Sequence, residues 1–326
     1  MSRPIALLLP GQGSQHAGMA TGLYRTHPVF TAAMDEVFAA MGEEGARLRA
    51  DWLARQPAVA LDHVTRAQPL LFAIDYALGQ VVFDWGLRPE TLLGHSIGEL
   101  AGATLAGVFG LGDAARLVLD RMHRLADGPP GGMLAVAARQ EDVTPFLDGD
   151  VVIGAVNAPR QIVLAGPYPA LALVEKSLLA QDFTCRRVPS LSPFHSPALA
   201  PATEGAAEVI ATLPVSPPRI TLYSCYTAAP LTYEDVADAN YWARHPVAMI
   251  RFWPALDALL AERDAVLVEA GPGQGLSQLA RRHPAVRAGR SAVVSLLPGR
   301  PGPPDRDRSA LATAAKSLGV EGLTGL

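Results

Sequence analysis

Thr91-Leu92-Leu93-Gly94-His95-Ser96-Ile97-Gly98-Glu99-Leu100 is the stretch on which the reading of this sequence turns. A short apolar run enters Gly94, a serine stands midway between Gly94 and Gly98, and the alanine-rich run Glu99 to Val108 continues with helical spacing. Strand, tight turn, helix is the form of a nucleophile elbow. Glycines at Gly94 and Gly98 let the strand and helix backbones approach. The serine is thereby lifted to a helix N-terminus, where N–H groups and the helix dipole favour negative charge.

Outward from the elbow, short apolar runs alternate with longer helical stretches, which predicts an α/β protein with a largely parallel sheet. Ile5 to Leu9 is expected to be a buried strand feeding the turn Gly11-Gln12-Gly13-Ser14-Gln15. Helices are expected from Pro69 to Trp85 and from about Asp113 to Leu125. The breaker cluster Asp127-Gly128-Pro129-Pro130-Gly131-Gly132 marks a boundary. After it the order strand, helix, strand, strand, helix, strand between Met133 and Val188 predicts a ferredoxin-like unit. The expected organisation is a large α/β-hydrolase-like domain over residues 1–127 and 196–326, with a ferredoxin-like small domain inserted at 128–195. A helix from about Pro197 to Thr212, strands at Ile220 to Ser224 and Ala265 to Glu269, and a last helix from Ser309 to Leu318 complete the expectation.

Composition narrows the function classes. The chain has 326 residues, 49% of them hydrophobic and 18% charged, with a net charge of −4. That balance supplies no global basic field for nucleic acid. No apolar run reaches transmembrane length. The two cysteines, Cys185 and Cys225, match no metal or redox spacing. Together these predict a reduced, cytoplasmic protein without a metal or bound cofactor.

Seven segments then resemble, in order and spacing, the malonyl-coenzyme A:acyl carrier protein transacylase family, which includes the acyltransferase domains of polyketide synthases. They are Pro10-Gly11-Gln12-Gly13-Ser14-Gln15, Ala67-Gln68-Pro69-Leu70, the elbow itself, Arg116 to Arg121, Ala155-Val156-Asn157-Ala158-Pro159, Ser192-Pro193-Phe194-His195-Ser196-Pro197 and Glu269-Ala270-Gly271-Pro272-Gly273. Tyr241-Trp242-Ala243-Arg244 and Ile250-Arg251-Phe252 resemble the polyketide type most.

The resemblance implies a seryl acyl-enzyme that carries a malonyl-type group from a coenzyme A thioester to the phosphopantetheine thiol of an acyl carrier protein. Ser96 would be the nucleophile and His195 its base. The backbone N–H groups of Gln12 and Ile97 would form the oxyanion hole. Arg121 would pair bidentately with the free carboxylate, and Gln68 and Asn157 would line the pocket. His195 would be oriented by a backbone carbonyl at His245, where the family has asparagine or glutamine. The carboxylates lying between Ser96 and His195, among them Asp120, Asp127, Asp148 and Asp150, show no triad context. Phe194 and Ile97 match malonyl-selective relatives, whereas Ser192 and Pro193 match neither those nor the methylmalonyl type. With no ketosynthase or carrier segment in the sequence, the enzyme is expected to act in trans. Arg186, Arg187, Arg281, Arg282 and Arg287 are candidates for a carrier-docking patch. An editing thioesterase, transfer of an unusual acyl chain between two carrier proteins, and a docking protein without turnover stay open as alternatives.

Overall fold

The computed structural model describes residues 3–147 and 149–320. Strand β1 (Ile5–Leu9) leads to helices α1 (Pro28–Ala40), α2 (Gly42–Leu53) and α3 (Val64–Asp84), and then to β2 (Thr91–Gly94), α4 (Ile97–Leu105) and α5 (Leu111–Ala126). The next unit holds β3 (Gly132–Val136), α6 (Gln140–Val143), β4 (Val152–Ala158), β5 (Gln161–Gly166), α7 (Tyr168–Leu179) and β6 (Cys185–Val188). After a 3-10 turn at Pro197–Thr203 come α8 (Ala206–Ile210), β7 (Thr221–Tyr223), α9 (Tyr233–Ala237), α10 (Ala239–Ala243) and α11 (Phe252–Glu262). Strand β8 (Val266–Glu269), α12 (Gly275–Ala280), α13 (Pro284–Arg287), β9 (Ala292–Ser295) and α14 (Asp305–Ser317) follow.

Among the described residues the strands form two sheets. The first is parallel, in the order β7-β2-β1-β8-β9. Its middle strand β1 is the unbroken apolar run Ile5 to Leu9, because a strand covered on both faces has no use for alternation. Helices α1, α3, α4 and α5 bury one face, and α11 and α12 bury the other. The second sheet is antiparallel, in the order β4-β5-β3-β6, with α7 packed on it; this is the ferredoxin-like order.

Two segments differ from expectation for identifiable reasons. Helix α3 begins at Val64, a full turn before Pro69, because the His63 ring caps Thr65 N–H and Arg66 takes up the slack. Proline at 69 cannot donate to the Thr65 carbonyl, and Arg66 Nη1 donates to that oxygen at 3.0 Å. Arg66 is itself anchored by Asp51 and Glu44, each at 2.6 Å. The helix expected from Pro197 to Thr212 is instead a 3-10 turn followed by the short α8. Pro201 removes a helical N–H, and Gly205 adopts φ 71°, so the chain turns between them.

Candidate active site

The elbow is held by the contacts its glycines permit. A Cβ on Gly94 would lie 2.2 Å from Glu99 N, and one on Gly98 would lie 2.1 Å from the Leu9 carbonyl of β1. Between them Ser96 adopts φ 56°, ψ −118°, a conformation costly for a non-glycine residue, at the N-cap of α4. Ile97 is the first residue of α4, and its N–H has no partner within the helix. The glycine-rich turn after β1 abuts this elbow, since a Cβ on Gly11 would meet the His95 carbonyl at 2.4 Å.

His195 lies 99 residues from Ser96 in the chain, yet its Nε2 is 2.9 Å from Ser96 Oγ. Its Nδ1 is 3.1 Å from the His245 carbonyl and 3.0 Å from the Ala248 carbonyl. Two carbonyl oxygens accept only from an N–H, so Nδ1 carries the proton and Nε2 is left as the acceptor for the serine hydroxyl. His195 N–H also donates to the Pro246 carbonyl at 2.7 Å, which fixes the positive φ of 63° at this residue. Burial, helped by the nearby His95 and Arg121, depresses His195 from 6.5 to about 3 against the pull of the two carbonyls. The ring is therefore neutral at physiological pH.

None of the described carboxylates weighed from sequence contacts this histidine. Asp120 is paired with Arg124 at 2.7 Å, and Asp127 ends α5; Asp148 lies outside the described residues. His245 contributes its main-chain oxygen, while its side chain is buried and stacks on Tyr226 at 4.0 Å.

A cavity of about 190 Å³ opens over the Ser96–His195 pair, with Gln12, Gln68, Asn157 and Phe194 in its walls. Gln68 Nε2 donates to Gln12 Oε1 at 3.3 Å. Asn157, on β4 of the second sheet, meets His95 Nε2 at 3.1 Å, so the cavity lies where the two sheets approach. Ser192 lines a neighbouring hollow that shares Gln12 and Phe194 with this one. Phe194 packs against Val64, Leu125 and Leu199.

Arg121 does not line this cavity; it lines a separate hollow with Leu125 and Trp242. It is 7% exposed, and Nη2 donates to the Trp242 carbonyl at 2.9 Å. Among the described residues no carboxylate oxygen comes within 4 Å of its guanidinium. Its charge reaches His195 and His245, pushing both down. The buried acid in this neighbourhood is Glu99, which burial raises to about 8 and which is therefore protonated at neutral pH. Glu99 binds the Tyr241 hydroxyl and the Cys225 N–H, the latter at 3.0 Å. Arg121 is thus a buried cation that forms no ion pair among the described residues.

Of the arginines singled out in sequence, Arg186 and Arg282 line one cleft of about 510 Å³ that continues past Gln12, His95 and Asn157. Arg187 is held by Glu175 at 2.6 Å, and neither Arg281 nor Arg287 lines this cleft. The site residues that sequence reasoning passed over are Tyr226 and its neighbours Ser224 and Tyr241. A lone tyrosine in a loop carries no local signal, and only the long-range packing brings it to Ser96. Among the described residues no cluster of histidine, cysteine or acidic side chains is arranged to hold a metal ion, and no helix is long and apolar enough to cross a membrane.

The family model described as acyl transferase domain matches residues 7–316. A phenolphthiocerol/phthiocerol polyketide synthase of Mycobacterium tuberculosis is 38% identical over 281 residues, covering 86% of this chain and 19% of that protein. Polyketide synthase GfsA of Streptomyces halstedii is 35% identical over 331 residues, covering 98% of this chain and 4% of the relative. The chain therefore spans less than a fifth of the length of these curated relatives. Among solved structures, the acyltransferase domain from the second module of the salinomycin polyketide synthase superposes with a TM-score of 0.89 at 33% identity, over 99% of this chain and 75% of that one. The malonyl CoA-acyl carrier protein transacylase of Coxiella burnetii shares the fold, with a TM-score of 0.84 at 22% identity over 98% of both chains. An elbow serine bonded to a carbonyl-anchored histidine, on this pair of sheets and with these relatives, makes the chain a member of the acyl transferase domain family.

Proposed function

We propose that this protein transfers a malonyl-type acyl group from coenzyme A to the phosphopantetheine thiol of an acyl carrier protein, through an ester on Ser96, in polyketide-type assembly in the cytoplasm. The large unit would comprise residues 1–127 and 196–326, and the small one 128–195. The observation that carries the malonyl assignment is Arg121. A buried guanidinium without a counter-anion is costly, and a dicarboxylic acyl group delivers the missing carboxylate. A monocarboxylic acyl chain would leave that charge unmatched.

Ser96 Oγ attacks the thioester carbonyl while its proton passes to His195 Nε2. The oxyanion is met by the N–H groups of Ile97 and Gln12. Collapse expels the coenzyme A thiolate, which takes the proton back from Nε2. The carrier thiol then gives its proton to Nε2 and attacks the seryl ester, and Ser96 leaves with that proton. The two carbonyls at Nδ1 orient the ring and stabilise the transient imidazolium, the task a carboxylate performs in a hydrolase triad. Substrate binding also assists the base. A carboxylate on Arg121 cancels one of the charges that hold His195 down, so Nε2 gains proton affinity once the correct acyl group is seated.

The test is a panel of acyl-coenzyme A thioesters incubated with wild type and with Ser96→Ala, reading the mass added to the protein. Wild type gains a malonyl-type adduct in preference to acetyl, and Ser96→Ala gains none. A covalent adduct on Ser96→Ala, or preferred acetyl loading by wild type, overturns the proposal.

A further inference from the structure

Tyr226 follows β7 in a loop pinned from several sides. Its N–H donates to Ser224 Oγ at 2.8 Å, the same oxygen receives the Tyr241 hydroxyl at 2.6 Å, and the adjacent Cys225 N–H is bound by Glu99 of α4. The Tyr226 ring lies flat on His245 with centroids 4.0 Å apart and an interplanar angle of 20°. Tyr241 meets it edge-on, and the His195 ring is 6.3 Å away. The ring position is thus over-determined by packing that phenylalanine would satisfy equally well.

The phenolic oxygen has no such explanation. It is buried and lacks a hydrogen-bond partner among the described residues. Ser96 Oγ, which gives its proton to His195, is near enough to influence the phenol, but the geometry between the two hydroxyls falls short of a hydrogen bond. Arg121 belongs to the same packed cluster: it donates to the Trp242 carbonyl, the Trp242 ring lies 5.0 Å from His245, and Tyr226 stacks on that histidine. A buried hydroxyl left unpaired is a standing cost, and such groups call for a partner. This unpaired hydroxyl sits in the cluster that holds both groups assigned to the two ends of the acyl substrate: the serine that holds its carbonyl and the arginine that meets its carboxylate.

We propose that Tyr226 is a substrate-recognition residue whose hydroxyl donates a hydrogen bond to the acyl carboxylate paired with Arg121. This rests on the malonyl-type reading of Arg121. Arginine alone supplies charge attraction from one side, and the phenol adds a directional donor from another, so the carboxylate is fixed in orientation as well as in place.

The test compares single-turnover acylation by malonyl- and acetyl-coenzyme A in wild type, Tyr226→Phe and Arg121→Ala. Tyr226→Phe keeps the stacked ring and removes only the donor. Malonyl acylation is expected to fall by about 10- to 100-fold, the value of a hydrogen bond to a charged group, with acetyl acylation unchanged. Loss in Arg121→Ala with no change in Tyr226→Phe overturns the role of Tyr226 and leaves the malonyl reading standing. Equal loss of malonyl and acetyl in Tyr226→Phe makes the tyrosine a positioning residue for Ser96 and His195, which also overturns it. Undiminished malonyl preference in Arg121→Ala overturns the parent reading and this inference with it.

Discussion

Acylation of Ser96 should be nearly independent of pH down to pH 5, and the burial of His195 sets the size of that effect. A histidine at the ordinary value of 6.5 is about 3% neutral at pH 5, so a rate that needs the free base would drop about thirtyfold from its plateau. Held at about 3, His195 is almost wholly neutral at pH 5, and the acylation rate should change less than about twofold between pH 7.5 and pH 5. The causes are local. Burial disfavours the imidazolium, and the charges of His95 and Arg121 add to it, while the carbonyls of His245 and Ala248 only partly compensate. Single-turnover acylation at malonyl-coenzyme A well below saturation, where the rate reports the free enzyme, quenched and read by intact mass, isolates the step. Thermal stability is a poor substitute because two groups act in opposite directions. The depressed His195 removes stability as pH falls from 6.5 toward 3, since the unfolded chain then binds the extra proton. Glu99, raised to about 8, keeps its proton in the folded state while the unfolded chain loses it above about 4.5, so acidification across that window favours folding. A thirtyfold loss of acylation with a midpoint near 6.5 would refute the reasoning and return His195 to an ordinary, solvated base.

Further outcomes follow from the packing and the charge distribution. Gly98→Ala places a methyl group 2.1 Å from the Leu9 carbonyl, where backbone must move; a loss of about 1–3 kcal/mol in denaturant unfolding, together with slowed acylation, is expected. An unchanged midpoint would mean that β1 and α4 slide apart at little cost. The paired reversal Arg186→Glu and Arg282→Glu changes two exposed side chains of one cleft. It should raise the apparent KM for an acidic acyl carrier protein, while acylation by coenzyme A thioester is nearly retained. The effect should shrink as salt rises. Equal damage to both half-reactions would point to contact with coenzyme A phosphates instead.

The elbow, the parallel strands and the βαββαβ order were legible because each is a local pattern. A buried strand needs an unbroken apolar run, a tight turn needs glycine at fixed offsets, and a helix needs its repeat; all are satisfied within ten or twenty residues. Strand β9 was missed for the converse reason, since Ala292-Val293-Val294-Ser295 is a short, half-buried edge with little pattern of its own. The failed helix over residues 197–212 shows a local pattern losing to Pro201 and the left-handed Gly205.

At the site, the sequence by itself determined which residue types were available: an elbow serine, a histidine in a loop, an arginine on an amphipathic helix. Their relations were decided by tertiary structure alone. Ser96 and His195 meet across 99 residues, Arg121 reaches Trp242 across 121, and Cys225 closes on Glu99 across 126. Only the fold makes Arg121 a cation without an anion, because that depends on where Glu99 lies and on the burial that keeps it protonated. Only the fold leaves the buried Tyr226 hydroxyl without a partner among the described residues. Charge state and hydrogen-bond satisfaction are properties of an environment, and an environment is assembled from segments the chain order keeps far apart.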